Sequence, residues 1–216
     1  MVDLDGDHVI AGFTFDSELG VGAPQTLLPA GGEDIALVGY ARDDGAYQWH
    51  QRLGGTGTDR ARGLALDDAG NAWLAATFTG TAYFGPDPLV AGGTDGAAAR
   101  FDIDGEPLAA SHTDTIADDL YAGIAALDDG GAVAAGANTS VHSGFASRLR
   151  ADGTARWTQV MTSTTEVVPT AVAGAPDGSS VVVGVDDPVT RHHDFAVAFA
   201  GAPATSVVVA WLRSTS

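Results

Sequence analysis

The segment that decides the fold reads Leu64-Ala65-Leu66-Asp67-Asp68-Ala69-Gly70-Asn71-Ala72-Trp73-Leu74. It is an apolar run, a turn rich in Asp and Gly, and a second apolar run, which is the pattern of a β-hairpin. Related segments begin at Ile124 and Ala171, and a shorter one spans residues 2–12. A segment that recurs along a chain of 216 residues predicts a repeat architecture.

A second kind of hairpin alternates with the first and gives an independent measure of the repeat. Its glycines Gly45, Gly105 and Gly153 are 60 and then 48 residues apart. The first kind shows steps of 60 and 47 residues at the positions Gly63, Gly123 and Thr170. The two series agree, so the third unit is shorter than the second.

One connection accounts for the shorter step. Gly70 and Asp95 of the second unit are 25 residues apart, whereas Gly130 and Ser143 of the third unit are 13 apart. The hairpins on either side keep their lengths. The shortening therefore falls between the second and third strands of the unit.

Each unit has room for four strands, which the second unit should hold at residues 60–67, 71–78, 95–102 and 107–113. Gly and Asp stand at the junctions, and no helical periodicity of about 3.6 residues is present. Units of this length with four antiparallel strands are typical of β-propeller blades. We therefore predict an all-β propeller domain, with blades at about 1–58, 59–118, 119–165 and 166–216 and the first blade truncated. Both a closed four-bladed propeller and a piece of a larger one fit this pattern.

Two tryptophans occupy equivalent places in the repeat. Trp49 and Trp157 each follow their hairpin glycine by four residues, and the second unit has Ala109 at this position. We expect these side chains to pack between blades rather than to form an exposed stacking platform.

The charge excludes several classes of function. The chain carries 10 basic residues, all arginine, against 28 acidic ones, for a net charge of −18. Such a chain repels nucleic-acid phosphates and anionic membrane surfaces. It has no apolar run of the roughly 18 residues that would predict membrane insertion. It has no cysteine, which excludes disulfides and thiolate chemistry.

The second unit resembles a known repeat. The residues that carry the resemblance are Trp49, Gly54-Gly55, Asp59, Gly63-Leu64-Ala65-Leu66-Asp67, Gly70-Asn71, Gly80-Thr81, Phe84-Gly85, Leu89, Ala91-Gly92-Gly93 and Asp95. This pattern is similar to the bacterial beta-propeller repeat called SBBP, found in exported myxobacterial proteins. The resemblance implies a propeller fold, export and a binding or scaffolding role at the cell surface or outside the cell. It implies no catalytic residues. The chain itself begins without a signal peptide, and the repeat pattern favours a fragment of a longer array.

A calcium loop is the sharpest candidate site. Asp3, Asp5 and Asp7 alternate around Gly6, and oxygen ligands at alternate positions around a glycine turn suit Ca²⁺. The segment resembles the loops of integrin-type propellers, although the final acidic ligand of those loops is missing. The alternative is a plain acidic hairpin turn. No other cofactor is expected.

Other candidates are weaker. The segment Arg191-His192-His193-Asp194 offers two imidazoles and a carboxylate, but adjacent residues on a strand point to opposite faces, so the histidines should not chelate one metal. No familiar enzyme signature occurs. The chain is rich in acids, so a carbohydrate-active or other hydrolytic enzyme with carboxylates near the propeller axis stays open as the alternative function.

The connections between second and third strands are the expected binding surface. Residues 13–34 and 77–95 are long in the first two units and shrink to 138–143 in the third. We expect them to expose apolar side chains, namely Phe13, Phe15, Leu27, Leu28, Tyr83, Phe84 and Leu89. The prediction is a non-catalytic module that binds an unidentified protein or glycan through loops on one face. The module is also free to pair with further blades or to self-associate. The alternative for these connections is that they cap the sheet edges.

Overall fold

The computed structural model describes residues 2–5, 7–22, 24, 26–113, 118–162, 166–175, 177–186, 193–199 and 207–212. For residues 3–5, 186, 193–195, 199 and 207–212 it describes the backbone alone. Within this part of the chain the protein is all-β, with eighteen strands and no helix. Accordingly, no described element is a helix able to cross a membrane.

The strands form four successive antiparallel units, each of four strands in chain order. The first unit contains β1 (Val2–Asp5), β2 (His8–Phe15), β5 (Asp34–Ala41) and β6 (Tyr47–Gly55), and the small hairpin β3 (Leu19–Gly20) and β4 (Thr26–Leu27) leaves it between β2 and β5. The second contains β7 (Arg60–Leu66), β8 (Ala72–Tyr83), β9 (Pro88–Phe101) and β10 (Pro107–His112). The third contains β11 (Asp119–Ala126), β12 (Ala132–Asn138), β13 (Ser143–Leu149) and β14 (Ala155–Thr162). The fourth contains β15 (Val167–Gly174), β16 (Ser180–Asp186), β17 (His193–Phe199) and β18 (Val207–Leu212).

The hairpin glycines close the turns as the sequence predicts. Gly105 has a φ of +82° and its N–H donates to the carbonyl of Asp102 at 3.0 Å. Gly153 repeats this geometry in the third unit, with a φ of +82° and a 2.9 Å bond to the carbonyl of Arg150. Positive φ values are open to glycine without a steric cost, which explains its recurrence at these places.

The first two units are joined into one sheet by a short ladder. Gly54 and Gly55 of β6 pair with Tyr83 and Ala82 of β8. A Cβ atom on Gly55 would lie 1.9 Å from the carbonyl oxygen of Thr81, so only glycine permits this approach.

Consecutive units pack face to face through small and aliphatic side chains. The first apolar cluster joins Leu37 of the first unit to Leu74 of the second, and the next joins Trp73 of the second unit to Ile124 of the third. A third cluster joins Ala146 of the third unit to Val182 of the fourth. The described residues show these successive contacts but neither a closed barrel nor a closed propeller.

The connection at residues 77–95 is not the loop that the sequence predicts. β8 and β9 continue their ladder to Tyr83 and Pro88, so most of it is an extended hairpin. Phe84 at its tip is buried, against the expectation that it is exposed, whereas Tyr83 is exposed as expected. Leu89 is half-buried. The hairpin folds back over the sheet, which gives its apolar residues an interior to fill.

The connection at residues 13–34 also covers the sheet more than expected. Phe15 and Leu27 are buried in a cluster around Val38, so the expectation of exposure is wrong for both. Phe13 and Leu28 are exposed as expected.

Candidate functional site: a pocket between the second and third units

A pocket of about 690 Å³ lies between the outer strand β10 of the second unit and the face of the third unit. We call it the inter-unit pocket. Its wall from the third unit is the face of β13 that carries Ser143, Phe145, Ser147 and Leu149, because alternate residues of a strand share a face. The remaining lining residues are Ser111, His112, Thr113, Asp119, Tyr121, Asn138, Val141, Gly153, Thr154, Ala155, Thr158 and Val160.

The first cause of the pocket is a missing tryptophan. At the junction of the first and second units, the Trp49 indole donates its N–H to the carbonyl of Ile103 at 2.8 Å. Its ring lies against Gly105, where a Cβ atom would approach the indole to 2.5 Å. At the next junction the equivalent residue is Ala109, and the equivalent glycine is Gly153. The methyl group of Ala109 lies 3.3 Å from the Cβ position of Gly153, beside the backbone of Ala110 at 3.7 Å, so no aromatic ring lies between the two residues.

The second cause is the short connection in the third unit. In the second unit the extended hairpin covers β10: a Cβ on Gly85 would lie 3.5 Å from Ala110 Cβ, and the ring of Phe78 meets His112 edge-on at 5.8 Å. The third unit lacks this hairpin because β12 ends at Asn138 and β13 begins at Ser143.

The strand residues that the missing hairpin would cover are open. Thr158 and Val160 are the counterparts of Ala110 and His112, and both are exposed. The pocket therefore lies over strand positions that the extended hairpin covers in the second unit.

Polar groups are fixed along the pocket wall. The amide of Asn138 donates to Asp119 Oδ1 at 2.8 Å, and the hydroxyls of Ser147 and Thr158 are 2.9 Å apart. The ring of Tyr121 packs against Phe145 at 5.6 Å in an edge-to-face arrangement. Burial raises the pKa of Tyr121 to about 12, so its hydroxyl stays protonated at neutral pH.

The pocket has no strongly basic side chain. Neither arginine nor lysine is among its lining residues, and Asp119 contributes a carboxylate that is almost fully buried. His112 faces Asp95 at 3.4 Å, and burial raises the pKa of Asp95. The electrostatics of the pocket therefore favour neutral or cationic ligands over anions.

A separate pair of buried carboxylates lies at the junction of the first and second units. Asp59 Oδ2 accepts the N–H of Gly55 at 2.7 Å, and Asp34 Oδ2 accepts Arg52 Nη1 at 2.6 Å. Burial, with the nearby Asp34 charge adding to it, raises the pKa of Asp59 to about 6. Both side chains are fully buried, so no substrate in solvent reaches them.

A smaller recess of about 260 Å³ lies on the turn side of the third unit. Arg148, Arg150 and Arg156 line it together with Asp129. Arg148 Nη2 donates to both carboxylate oxygens of Asp129, at 2.6 and 2.5 Å. Burial opposes ionisation of Asp129, but the Arg148 hydrogen bonds outweigh it and lower the pKa of this carboxyl. This arrangement satisfies the buried guanidinium internally.

The calcium candidate lies largely outside the described residues. The side chains of Asp3 and Asp5, and the whole of Gly6, belong to the part of the chain that is not described. Asp7 is exposed in the turn, and its carbonyl accepts the N–H of Arg42 at 2.8 Å. No group of three metal-ligating side chains occurs among the residues whose side chains are described. The calcium site stays a prediction.

The prediction that His192 and His193 do not chelate one metal is also left untested, because the side chains of this segment are not described. Arg191 and His192 lie outside the described residues, and His193 and Asp194 are described by their backbone alone, within β17.

The tryptophan prediction is confirmed at both described sites. Trp49 packs against the second unit, and Trp157 packs against the cluster that includes Val167 of the fourth. The pocket is not among the sites predicted from the sequence, although Ala109 and the short connection are both visible when equivalent positions of the repeat are compared.

Comparison with known proteins adds no assignment. No known family model matches the chain. No curated protein is similar to it at a significant level.

Proposed function

We propose that this chain is a β-propeller-type array of four-stranded blades that serves as a non-catalytic binding module outside the cell. Four antiparallel units in chain order, each packed on the next through small side chains, support the propeller arrangement. The resemblance of the second unit to the SBBP repeat supports export. The net charge of −18 suits a soluble module that avoids anionic polymers.

The observation that carries the binding role is the inter-unit pocket. Its volume of about 690 Å³ falls within the range of small-molecule sites, roughly 300–1,000 Å³. Its walls are paired strands, and a rigid wall binds a ligand without the entropic cost of ordering a loop. The ligand site is thus proposed between two units, and not on the loops of one face.

Binding is favoured over hydrolysis by the placement of the carboxylates. A glycosidase needs two carboxyl groups that reach the same bond of a bound substrate. Asp119 is the one carboxylate among the lining residues of the pocket, and its neighbour Asn138 already bonds it. The pair Asp34 and Asp59 is enclosed by protein.

The test is a ligand-observed NMR screen of the full chain against a mixed library of small neutral, cationic and anionic compounds. Ala109→Trp is the blocking variant because the first unit already carries a tryptophan at this position. We expect hits on the wild type that weaken about tenfold or more in this variant. A set of hits that binds both proteins equally would show that the pocket is not the binding site.

A further inference from the structure

We infer that the inter-unit pocket takes a neutral aromatic ligand bearing a hydrogen-bond donor, seated where the preceding junction holds its own aromatic side chains. This inference rests on the proposed binding function and adds the chemical class of the ligand.

The preceding junction shows what the space between two units accommodates. Trp49, Phe78 and Phe84 fill it, and the two phenylalanines meet edge-on with ring centres 5.6 Å apart. Both phenylalanines are fully buried. The equivalent positions around the inter-unit pocket carry none of these three rings, whereas Tyr121 and Phe145 stand where the second unit has Ala61 and Ala97 and supply an aromatic wall. An apolar cavity of matching size is able to bind a planar hydrocarbon such as benzene.

The pocket is not a copy of that apolar junction. At the first junction the second unit presents Ala99, Ala110 and Phe78. The equivalent positions of the third unit, which line the inter-unit pocket, carry Ser147, Thr158 and Asn138. The Ser147 and Thr158 hydroxyls already contact each other at 2.9 Å, and Ser147 also hydrogen-bonds to Tyr121, so the exposed Thr158 hydroxyl is the one that retains acceptor capacity. A ligand with an N–H or O–H group can therefore bond to this wall while its ring lies against Tyr121 and Phe145.

Charge decides between aromatic ligands. The lining residues include the carboxylate of Asp119 but no arginine, so a carboxylate or phosphate on the ring would be desolvated near a like charge without a guanidinium to pair with. At the first junction the aromatic donor is the uncharged indole of Trp49, whose N–H meets a carbonyl. Aromatic acids should therefore bind more weakly than their neutral counterparts.

The pocket is open to a small ligand. Val141 and Val160 at its rim are 66% and 53% exposed. These two apolar side chains are uncovered because the third unit lacks the extended hairpin. A flat ring can enter beside them without displacing a described strand.

The experiment titrates the full chain with indole, with indole-3-acetate as the anionic partner and with methyl glucoside as a neutral non-aromatic probe. Amide chemical shifts of Ser147, Thr158 and Tyr121 report the location, and calorimetry reports the affinity. We expect saturable indole binding with shifts at these residues. We also expect about tenfold weaker binding of indole-3-acetate and of indole to Ala109→Trp. The matched control is Leu108→Trp, which adds the same ring at an exposed neighbouring position and should leave binding unchanged.

The outcomes separate the ligand class from the binding function. If methyl glucoside or another non-aromatic compound shifts the pocket amides and indole does not, the aromatic inference is wrong and the binding function stands. If no library compound shifts them, both fail. Equal indole affinity in wild type and Ala109→Trp also overturns the inference. Should Ala109→Trp not fold, Thr158→Trp fills the pocket from the exposed strand β14, and the same outcomes apply.

Discussion

Asp34 and Asp59 direct their carboxylates at the same buried glycine, Gly54, although they belong to different units. A Cβ atom on Gly54 would lie 3.0 Å from Asp34 Oδ1 and 2.6 Å from Asp59 Oδ2. Arg52 bonds to Asp34, whereas the pKa of Asp59 is raised to about 6 by burial and then by the charge of Asp34. The junction between the first two units therefore contains a carboxyl group that holds its proton more tightly than it does in the unfolded chain.

This difference predicts a pH dependence of stability. The pKa of Asp59 is about 6 in the folded protein against 3.8 in the unfolded chain, so folding takes up a proton between these values. Its contribution to stability is fully present below pH 3.8 and is lost as the pH rises through 6. Asp59→Asn should therefore raise the free energy of unfolding at pH 7.5, by up to about 3 kcal/mol. Urea unfolding at a series of pH values measures the effect, with exposed Asp87→Asn as the control. Parallel pH profiles for the wild type and Asp59→Asn would contradict it.

The carboxylate of Asp67 should show the opposite sign. It accepts bonds from Arg100 Nη2 at 2.8 Å and from the backbone N–H of Asn71 at 2.9 Å. Burial opposes its ionisation, but these hydrogen bonds prevail and lower its pKa. Its contribution is present above pH 3.8 and is lost as the pH falls through the folded pKa. Asp67→Asn should lower the free energy of unfolding by about 1–3 kcal/mol at pH 7, and this loss should shrink at low pH. A loss of equal size at pH 7 and pH 3 would contradict the assignment.

Trp49→Ala should open a cavity at the first junction, because it gives this position the side chain that the second unit has at Ala109. It removes a large, half-buried ring and the N–H bond to Ile103, so we expect a loss of up to about 3 kcal/mol in the free energy of unfolding. Indole should restore part of this loss, because it refills the cavity. Urea unfolding with and without indole measures both effects. Trp49→Phe is the control, since it retains an aromatic ring at the site. A loss that indole does not reduce would show that the junction collapses around the missing ring.

A matched pair of glycine substitutions separates backbone strain from packing. Gly45 and Gly105 are equivalent in the repeat, with φ values of +71° and +82°. A Cβ on Gly45 meets no atom within 4 Å, whereas a Cβ on Gly105 would lie 2.5 Å from the Trp49 ring. Gly45→Ala should cost about 1 kcal/mol from its backbone alone. Gly105→Ala should cost at least about 1 kcal/mol more, because Trp49 must move. Thermal unfolding measures both, and equal losses would mean that Trp49 moves freely.

Much of the fold is predictable because the repeat gives the sequence two independent measures of unit length. The strands predicted at 60–67 and 107–113 match β7 and β10 within one residue at each end. Turns rich in Asp and Gly set the end of β7 and the start of β10, because the backbone geometry of these turns admits few other residues. Whether the units close into a propeller depends on contacts over long distances, which local patterns do not specify.

The extended hairpin and the pocket were not predicted, for a physical reason. The segment 79–91 is rich in Gly, Thr and Pro, which local preference assigns to a loop. It becomes a ladder because Phe84 at its tip finds an interior against β10 and the first unit. A pocket is an absence of packing, so the sequence indicates it only through comparison of equivalent positions such as Trp49 and Ala109.

The hairpin between the second and third strands of a unit has a consequence for how such an array changes over evolution. The length of this hairpin can change in one unit without a change in the rest of that unit. The ladder below the hairpin keeps the same register in the second unit, from Ala72↔Phe101 to Phe78↔Asp95, and in the third, from Ala132↔Leu149 to Asn138↔Ser143. A deletion within it removes the filling of one junction and leaves the neighbouring sheets intact. Insertions and deletions in this hairpin, together with single substitutions such as the one at Ala109, are then genetic events that create or erase a binding cavity, one junction at a time.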